Sequence, residues 1–540
     1  MRALALTLAV LVIPACVHAA GEGGGGSPFR LTGGSVSFLG SMLSRDGSPA
    51  DYPDRYGRVL VNPSASLWDV PMSLEVLLSS VESENRQRIS FFSLSARPSE
   101  SGRGGLMAHV RRLGIGTSSL FLSPLVMDGR PVTGAEIELT PGPFYADIGG
   151  GRMRRSIDPA DTTAYAYTRW VWGLRAGVGR PGGSHLHLSY LHGWDNSRIS
   201  GGGPWLDLPP AESHTASVQA RFEAGRATLR GEAAWSLYTA DRNAPTKEYE
   251  DVPGWVFDLF SPNLTSRIAM SASGEALLRL GATSLRTGLT YVEPGYASLG
   301  APSLRPDLLE YEASATHRLS ARRLTLTAFL RRSRDNLVEW KSSRTTTSSA
   351  GARATWAPAG RWYVSAGASP WFRRSDGEPG ADMDSWLATV SAGGSAPLSR
   401  LELSTAGTFG LQRSAWKDSD RSYTGRTWSV TQTASDRTGL SATGSFTLHQ
   451  SRQPEESWDR RIWAVEGGYT DPARWSASAG VRLARGGAGR RRLSTWVGGS
   501  PPSIGGFLEL SARLGRTTFQ SEVDEGYTEL EGRLAGSIIW

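Results

Sequence analysis

The chain is predicted to be all-β, folded as one antiparallel barrel closed across a membrane, and three observations predict it. Alternation of apolar and polar residues with period two recurs in segments of roughly ten or more residues, the length that crosses a bilayer with tilt. Strands of a soluble sandwich run only about five or six residues. The composition is hydrophilic for a membrane protein, with 39% hydrophobic residues, 64 Gly and 19 Trp and a mean hydropathy of -0.29. That balance fits strands with one face in water and aromatic girdles at the interfaces. Finally, the connections alternate between short and long, as they do in a barrel with turns at one end and loops at the other.

The first segment is a targeting signal. Met1 and Arg2 precede an apolar run from Ala3 to Ile13, followed by Val17, His18, Ala19 and Ala20. A basic start, a short apolar core and a small-residue cleavage site describe a secretory signal peptide over residues 1–19. The run is too short for a spanning helix, which needs about 20 residues. Cleavage would remove Cys16, the only cysteine, so disulfides, thiolate zinc sites and cysteine nucleophiles are excluded from the mature chain. A lipidated Cys16 is the rival reading, and Pro14 sits awkwardly for it. Residues 20–28 are Gly-rich and read as a flexible leader. The barrel is assigned to residues 29–540, with no room before it for a plug domain.

Strand faces can be assigned along most of the barrel. Ala227, Leu229, Gly231, Ala233, Trp235 and Leu237 oppose Thr228, Arg230, Glu232, Ala234, Ser236 and Tyr238. Trp170, Trp172 and Leu174 oppose Arg169, Val171, Gly173 and Arg175, while Leu186 and Leu188 oppose His185, His187 and Ser189. Leu324, Leu326 and Leu330 oppose Thr325, Thr327 and Arg331, and Leu401, Leu403 and Phe409 oppose Glu402, Ser404 and Thr408. Tight turns are expected at residues 69–71 and 180–183, and long loops at 44–56, 196–212, 241–263 and 372–384. One strand and connection per roughly 20 residues gives roughly 22 to 26 strands, with even parity the rule in bacteria.

The last strand carries Leu530, Leu534, Ile538 and Trp540 on one face. It is expected to close the barrel against the first strand and to anchor an aromatic at the interface. This ending resembles the C-terminal signature of Gram-negative outer-membrane barrels. The resemblance implies an outer-membrane location, lipid and lipopolysaccharide as surroundings, and the barrel-assembly machinery as a partner during biogenesis. Three further segments carry a second resemblance: residues 141–155 (Pro-Gly-Pro-Phe-Tyr-Ala-Asp-Ile-Gly-Gly-Gly-Arg-Met-Arg-Arg), 293–300 (Glu-Pro-Gly-Tyr-Ala-Ser-Leu-Gly) and 331–337 (Arg-Arg-Ser-Arg-Asp-Asn-Leu). They are similar to a family of large, plug-less outer-membrane proteins common in Bacteroidota and neighbouring phyla. That likeness implies an architecture; it carries no activity and no functional residue.

Charge supplies the functional hint. Lys and Arg total 58, and Lys247, Lys341 and Lys417 are the only lysines, so 58 minus 3 leaves 55 arginines at a net charge of +7. Arg169, Arg175, Arg221, Arg226, Arg230, Arg323 and Arg331, with Arg279 and Arg482, fall on polar strand faces. Facing a water-filled lumen they would favour anions. The competing reading pairs them across strands with acids such as Glu232, Glu275 and Glu402. Scattered bases of this kind do not make a nucleic-acid patch. In the loop at 241–263, Trp255, Phe257 and Phe260 form an apolar patch that would constrict the lumen, dock a partner protein or pack on the rim.

Catalytic and cofactor motifs are not found. Gly177, Gly179 and Gly182 match a dinucleotide-binding pattern, but they lie between strands and open no helix, so they read as a hairpin. His185 and His187 share a strand face opposite to His192, which argues against a three-histidine metal site. The expected function is a non-enzymatic channel for polar solutes, with anions favoured if the arginines are unpaired. A scaffold or translocon component that holds a secreted or surface-assembled protein is the alternative.

Overall fold

The computed structural model describes residues 29–539 apart from 47–54, 81–88, 103, 157–166, 197–208, 247–259, 261, 320–322, 378–379, 418–419, 455–456, 472–474, 487–489, 504–506 and 522–525. The segments assigned above to a signal peptide and leader, together with Trp255, Phe257 and Trp540, lie outside the described residues. The strands are β1 (Phe29–Asp46), β2 (Arg55–Leu67), β3 (Val70–Ser79), β4 (Ile89–Ala96), β5 (Val110–Leu120), β6 (Arg130–Leu139), β7 (Phe144–Arg154), β8 (Thr168–Val178) and β9 (His185–Asn196). There follow β10 (Glu212–Ala224), β11 (Ala227–Thr239), β12 (Ser266–Leu280), β13 (Thr283–Val292), β14 (Leu308–Leu319), β15 (Leu324–Arg334), β16 (Arg344–Ala359), β17 (Trp362–Asp376) and β18 (Met383–Leu398). The ring ends with β19 (Leu401–Trp416), β20 (Ser422–Asp436), β21 (Leu440–Arg452), β22 (Ser457–Thr470), β23 (Ser476–Arg485), β24 (Arg491–Ser500), β25 (Leu508–Gln520) and β26 (Tyr527–Ile539).

These 26 strands form one sheet in which each pairs antiparallel with the next, and β26 returns to β1. Closure leaves no sheet edge, so every ladder has a partner without help from water. In the seam, Gly40 faces Leu534 and Val36 faces Ile538. The architecture is an outer-membrane-type barrel, at the upper limit of the strand number expected from sequence. With strands about 4.8 Å apart and tilted about 40°, its perimeter is on the order of 160 Å.

One end of the barrel is turned tightly, apart from the β4–β5 connection over 97–109, which holds two short 3-10 helices, Pro98–Ser101 and Gly105–His109. Two residues connect β2 to β3, β10 to β11, β12 to β13, β16 to β17 and β18 to β19. Trp68 and Asp69 both take left-handed backbone angles, φ 48° and 64°, which match the twist of a two-residue hairpin. Gly225 does the same at φ 54°, making Arg226 the second residue of that turn. Arg226 and Arg323 are therefore exposed turn residues and not strand residues facing the lumen; the expected strand boundaries ran too far. The opposite end carries the long connections, including 240–265 and 293–307. The loop expected at 372–384 is shorter than that, because β17 runs on to Asp376 and β18 begins at Met383. Pairing of Phe372 with Asp384 and Arg373 with Met383 absorbs those residues into the wall.

The alternation sorts the wall into two faces. On β9, Leu186 and Leu188 are 54% and 60% exposed, whereas His185, His187 and Ser189 are 9% or less. Register carries that parity around the ring: Gln219 and Glu232 lie beside His187 and Ser273 beyond them, while Val218, Trp235 and Phe409 face outward. The outward set forms the lipid-facing band, and the inward set is polar.

Burial is concentrated where two loops from the long-connection end fold onto the inner wall. The β5–β6 loop turns back on itself, with Met127 N–H donating to Ser123 O (2.9 Å) and Leu122 N–H to Met127 O (3.1 Å). The β13–β14 loop lies on it: Tyr296 Oη donates to Leu125 O (2.9 Å) and Ser298 Oγ to Val126 O (2.7 Å). Leu122, Val126 and Met127 are fully buried and Tyr296 nearly so. Each such side chain contributes roughly 1.5–3 kcal/mol of burial, enough in sum to hold the loops inside.

Candidate functional site

The loops rest on β8 to β12 because the inner face there is built from small residues. Gly173, Ser189, Gly193, Ser213, Ser217, Ala234 and Ser236 leave a shallow bed, and their hydroxyls reach loop backbone. Leu299 N–H donates to Ser213 Oγ (3.1 Å), Ala297 N–H to Ser236 Oγ (3.3 Å), and Ser189 Oγ to Leu122 O (3.3 Å). A Cβ on Gly193 would lie 3.1 Å from Leu299 Cβ, and one on Gly300 would lie 2.6 Å from Val126 O. The segment 293–300, noted for its resemblance to other barrels, is thus part of the infolded layer on the inner wall. The glycines 149–151 of a second such segment let β7 approach its neighbours, since a Cβ on Gly150 would meet Val171 O at 2.8 Å.

Arg175 sits beneath the loops, 3% exposed. Its Nε donates to His187 Nδ1 (3.0 Å), its Nη2 to Gln219 Oε1 (2.8 Å), and its guanidinium stacks near Phe121 and Tyr145. His187 Nε2 in turn donates to Gly179 O (2.8 Å), so one ring nitrogen donates and the other accepts, as in neutral imidazole. Arg175 is tied to the wall and stacks beside Phe121 of the β5–β6 loop; it is not open to a solute. Of the expected hairpin, Gly179 and Gly182 lie in the β8–β9 turn while Gly177 pairs with His187 inside β8, and Gly179 supplies this carbonyl.

Four of the other candidate arginines are paired, while Arg279 and Arg482 face inward with no carboxylate partner among the described residues. Arg169 makes a two-pronged contact with Asp195, 2.8 Å on each oxygen, and Arg154 reaches the same carboxylate at 3.4 Å. Arg221 pairs with Glu223 at 2.5 Å. A ladder then crosses neighbouring strands: Arg230 with Glu275 (4.0 Å), Glu275 with Arg286 (3.1 Å), Arg286 with Glu312 (3.4 Å) and Arg331 with Glu310 (2.8 Å). Beside the loop tip, a cavity of about 220 Å³ is lined by Pro124, Arg230, Glu232, Glu275, Arg286, Glu310 and Glu312 among others. Acids outnumber bases there. Across the lumen the balance reverses: Arg353, Arg460, Arg482, Arg492 and Arg513 face inward and are exposed, with no carboxylate partner among the described residues.

A latch joins two of the loops. Asp307, 2% exposed, accepts from Leu337 N–H (2.8 Å), Asn336 N–H (3.0 Å), Trp340 Nε1 (3.3 Å) and Lys341 Nζ (2.5 Å). Burial opposes its charge, but Lys341 and the two backbone donors outweigh burial and hold the carboxyl below its ordinary range. A depressed carboxyl contributes stability above its unfolded value, near pH 4, and loses it as pH falls through the lower folded value. Protease cleavage of the 335–343 loop is therefore expected to accelerate only on acidification below about pH 4. Asp307→Ala should show that acceleration already at pH 7.

Phe260 packs edge-on against His214, ring centroids 4.7 Å apart, on the outward face of β10 near the loop end. His214 stands opposite His192, and Glu212 joins them: His192 Nε2 lies 2.7 Å and His214 Nε2 3.5 Å from Glu212 Oε1. This trio has the donor set of a metal site. Glu212 already accepts from Arg242 Nε (2.8 Å), and Tyr190 and Trp172 occupy the remaining histidine nitrogens. The guanidinium supplies the cation that the carboxylate needs. A single strand conceals His214 as a partner of His192; their cross-strand register reveals it.

No family model and no curated protein matches the chain. Among solved structures it is similar to the P pilus usher (PapC) translocation pore, with 13% identity, a TM-score of 0.41, and coverage of 94% of this chain and 99% of that one. It is also similar to a BenF-like porin from Pseudomonas fluorescens Pf-5 (13% identity, TM-score 0.32, 66% and 98% covered). OpdK of Pseudomonas aeruginosa, solved with vanillate, gives 11% identity and a TM-score of 0.31, with 61% and 93% covered.

Proposed function

We propose that the chain is an outer-membrane channel for polar solutes, with a modest preference for anions. The observation that carries this reading is a closed ring with a hydrophilic inner face, of which the two infolded loops cover only one wall. Anion preference rests on the inward arginines without a carboxylate partner on the opposite wall, Arg353, Arg460, Arg482, Arg492 and Arg513, the last stacked on Trp496. Of the nine candidates read from the sequence, Arg482 belongs to this set, Arg279 is likewise exposed and inward, and the other seven are paired, buried or in turns. Fixed guanidinium charge at a wet wall raises the local anion concentration within about one Debye length, some 8 Å at physiological salt.

Purified protein in planar bilayers should give discrete conductance steps, with a reversal potential on the anion side in a KCl gradient. Replacing Arg482 and Arg492 by Gln should move that potential toward cations, and Glu275→Gln should move it further toward anions. A barrel that never conducts would overturn the proposal. The width favours a second reading: a perimeter on the order of 160 Å exceeds what a small solute requires, so a protein passing through or held inside is the alternative. Stoichiometric co-purification of one partner, with no conductance until it is removed, would favour that reading.

A further inference from the structure

The outward face of β19 to β24 holds one exposed arginine per strand, all near the long-connection end: Arg413, Arg426, Arg452, Arg461, Arg485 and Arg491. None is paired with a carboxylate among the described residues. Arg461 stands directly opposite Arg485, and Arg485 directly opposite Arg491. Directly opposed side chains have Cβ atoms about 4.5–5.5 Å apart, and like charges so placed repel. Three guanidinium groups in one row are a destabilising arrangement unless an anion lies between them.

Height on the wall says which anion. Below this row the outward residues are Trp428, Trp463, Phe446 and Phe409, with Phe409 and Trp428 centroids 4.1 Å apart. Below those come Val430, Val465, Val481, Leu403 and Leu440, down to the turn end. That order is a charged row, an aromatic girdle and an apolar band, the sequence of layers met on going from a bilayer's headgroups into its core. Among the described residues, no outward arginine lies on the turn half of these strands, and the arginines at that end, Arg400 and Arg437, sit in the turns themselves. The row of directly opposed arginines therefore belongs to the leaflet facing the long loops.

We propose that this face binds the phosphate groups of a phosphorylated glycolipid in the outer leaflet, of the lipid A type, with Arg461, Arg485 and Arg491 forming the central clamp. Guanidinium forks suit phosphate oxygens, each offering paired donors. The acyl chains lie against the apolar band, and the sugar rings sit on the tryptophans. The inference goes beyond the channel proposal and is independent of whether the lumen conducts.

The test uses the full barrel in neutral detergent with defined lipid A, monitored by native mass spectrometry and thermal unfolding. Wild-type protein should retain bisphosphorylated lipid A and gain thermal stability from it, and dephosphorylated lipid A should bind at least roughly 10-fold more weakly because the charge-assisted contacts are lost. Arg485→Gln should cut retention by a similar factor while its stability without lipid is equal to or above wild type, since the opposed repulsion is gone. That sign reversal distinguishes a binding site from a structural role. Equal retention by wild type and R485Q, equal binding of the dephosphorylated lipid, or full competition by millimolar inorganic phosphate alone would overturn it. Heat-modifiable migration of R485Q should match wild type, showing an intact barrel.

Discussion

Asp195→Ala is expected to lower barrel stability by about 3–5 kcal/mol, the cost of removing one partner of a buried ion pair. Arg169, whose side chain is 11% exposed, meets Asp195, whose side chain is 4% exposed, through two parallel contacts. Arg154 shares that carboxylate, and Ala211 N–H approaches it at 3.4 Å. Loss of the acid strands two guanidinium groups side by side. The readout is heat-modifiable migration or a urea titration of folded barrel in detergent. The double substitution Asp195→Ala with Arg169→Ala should recover part of the loss, because the uncompensated charge is halved. Equal stability of Asp195→Ala and wild type would show that this pair is solvated and unimportant.

Displacing the infolded loops should enlarge the pore. Gly193→Leu drives a branched side chain into Leu299, where even a Cβ would lie 3.1 Å away. Small-to-large changes in a tight contact cost about 1–3 kcal/mol. The loop's ties to that bed through the Ser213 and Ser236 hydroxyls lie next to Leu299, so displacing Leu299 should weaken them together and lift the loop from the wall. Conductance should rise roughly twofold or more, as the narrowest cross-section widens, and open-channel noise should increase. Trimming residues 122–127 to a short turn should do the same without strain. An unchanged conductance in both variants would mean that the loops do not limit flow.

Strand faces were legible because period two is a local property. Ala227 to Leu237, or Leu401 to Phe409, reveals its lipid side without knowledge of any neighbour. The fate of the arginines was not legible, because pairing depends on register across strands. Nothing near Arg169 in sequence announces Asp195, which lies one strand away. The same gap hid His214 opposite His192 and the row Arg461, Arg485 and Arg491. The loops were harder still. Residues 241–263 drew notice by their aromatics, yet Phe260 lies on the outer rim. The infolded layer comes from the unremarked Leu122 and Val126 together with the segment 293–300, whose apolar tips bury because Gly173, Gly193 and the serines make room on distant strands.

A single-cysteine scan along β19 tests the central claim most directly, since Cys16 is the only native cysteine and its removal leaves a clean background. In intact outer membranes, cysteines at Ser404, Thr408 and Gln412 should react with a charged, water-soluble maleimide through the lumen, while those at Leu403, Gly407 and Leu411 should not. Uniform reactivity, or protection of the first set and labelling of the second, would contradict a closed sheet with a wet interior and a lipid-facing exterior.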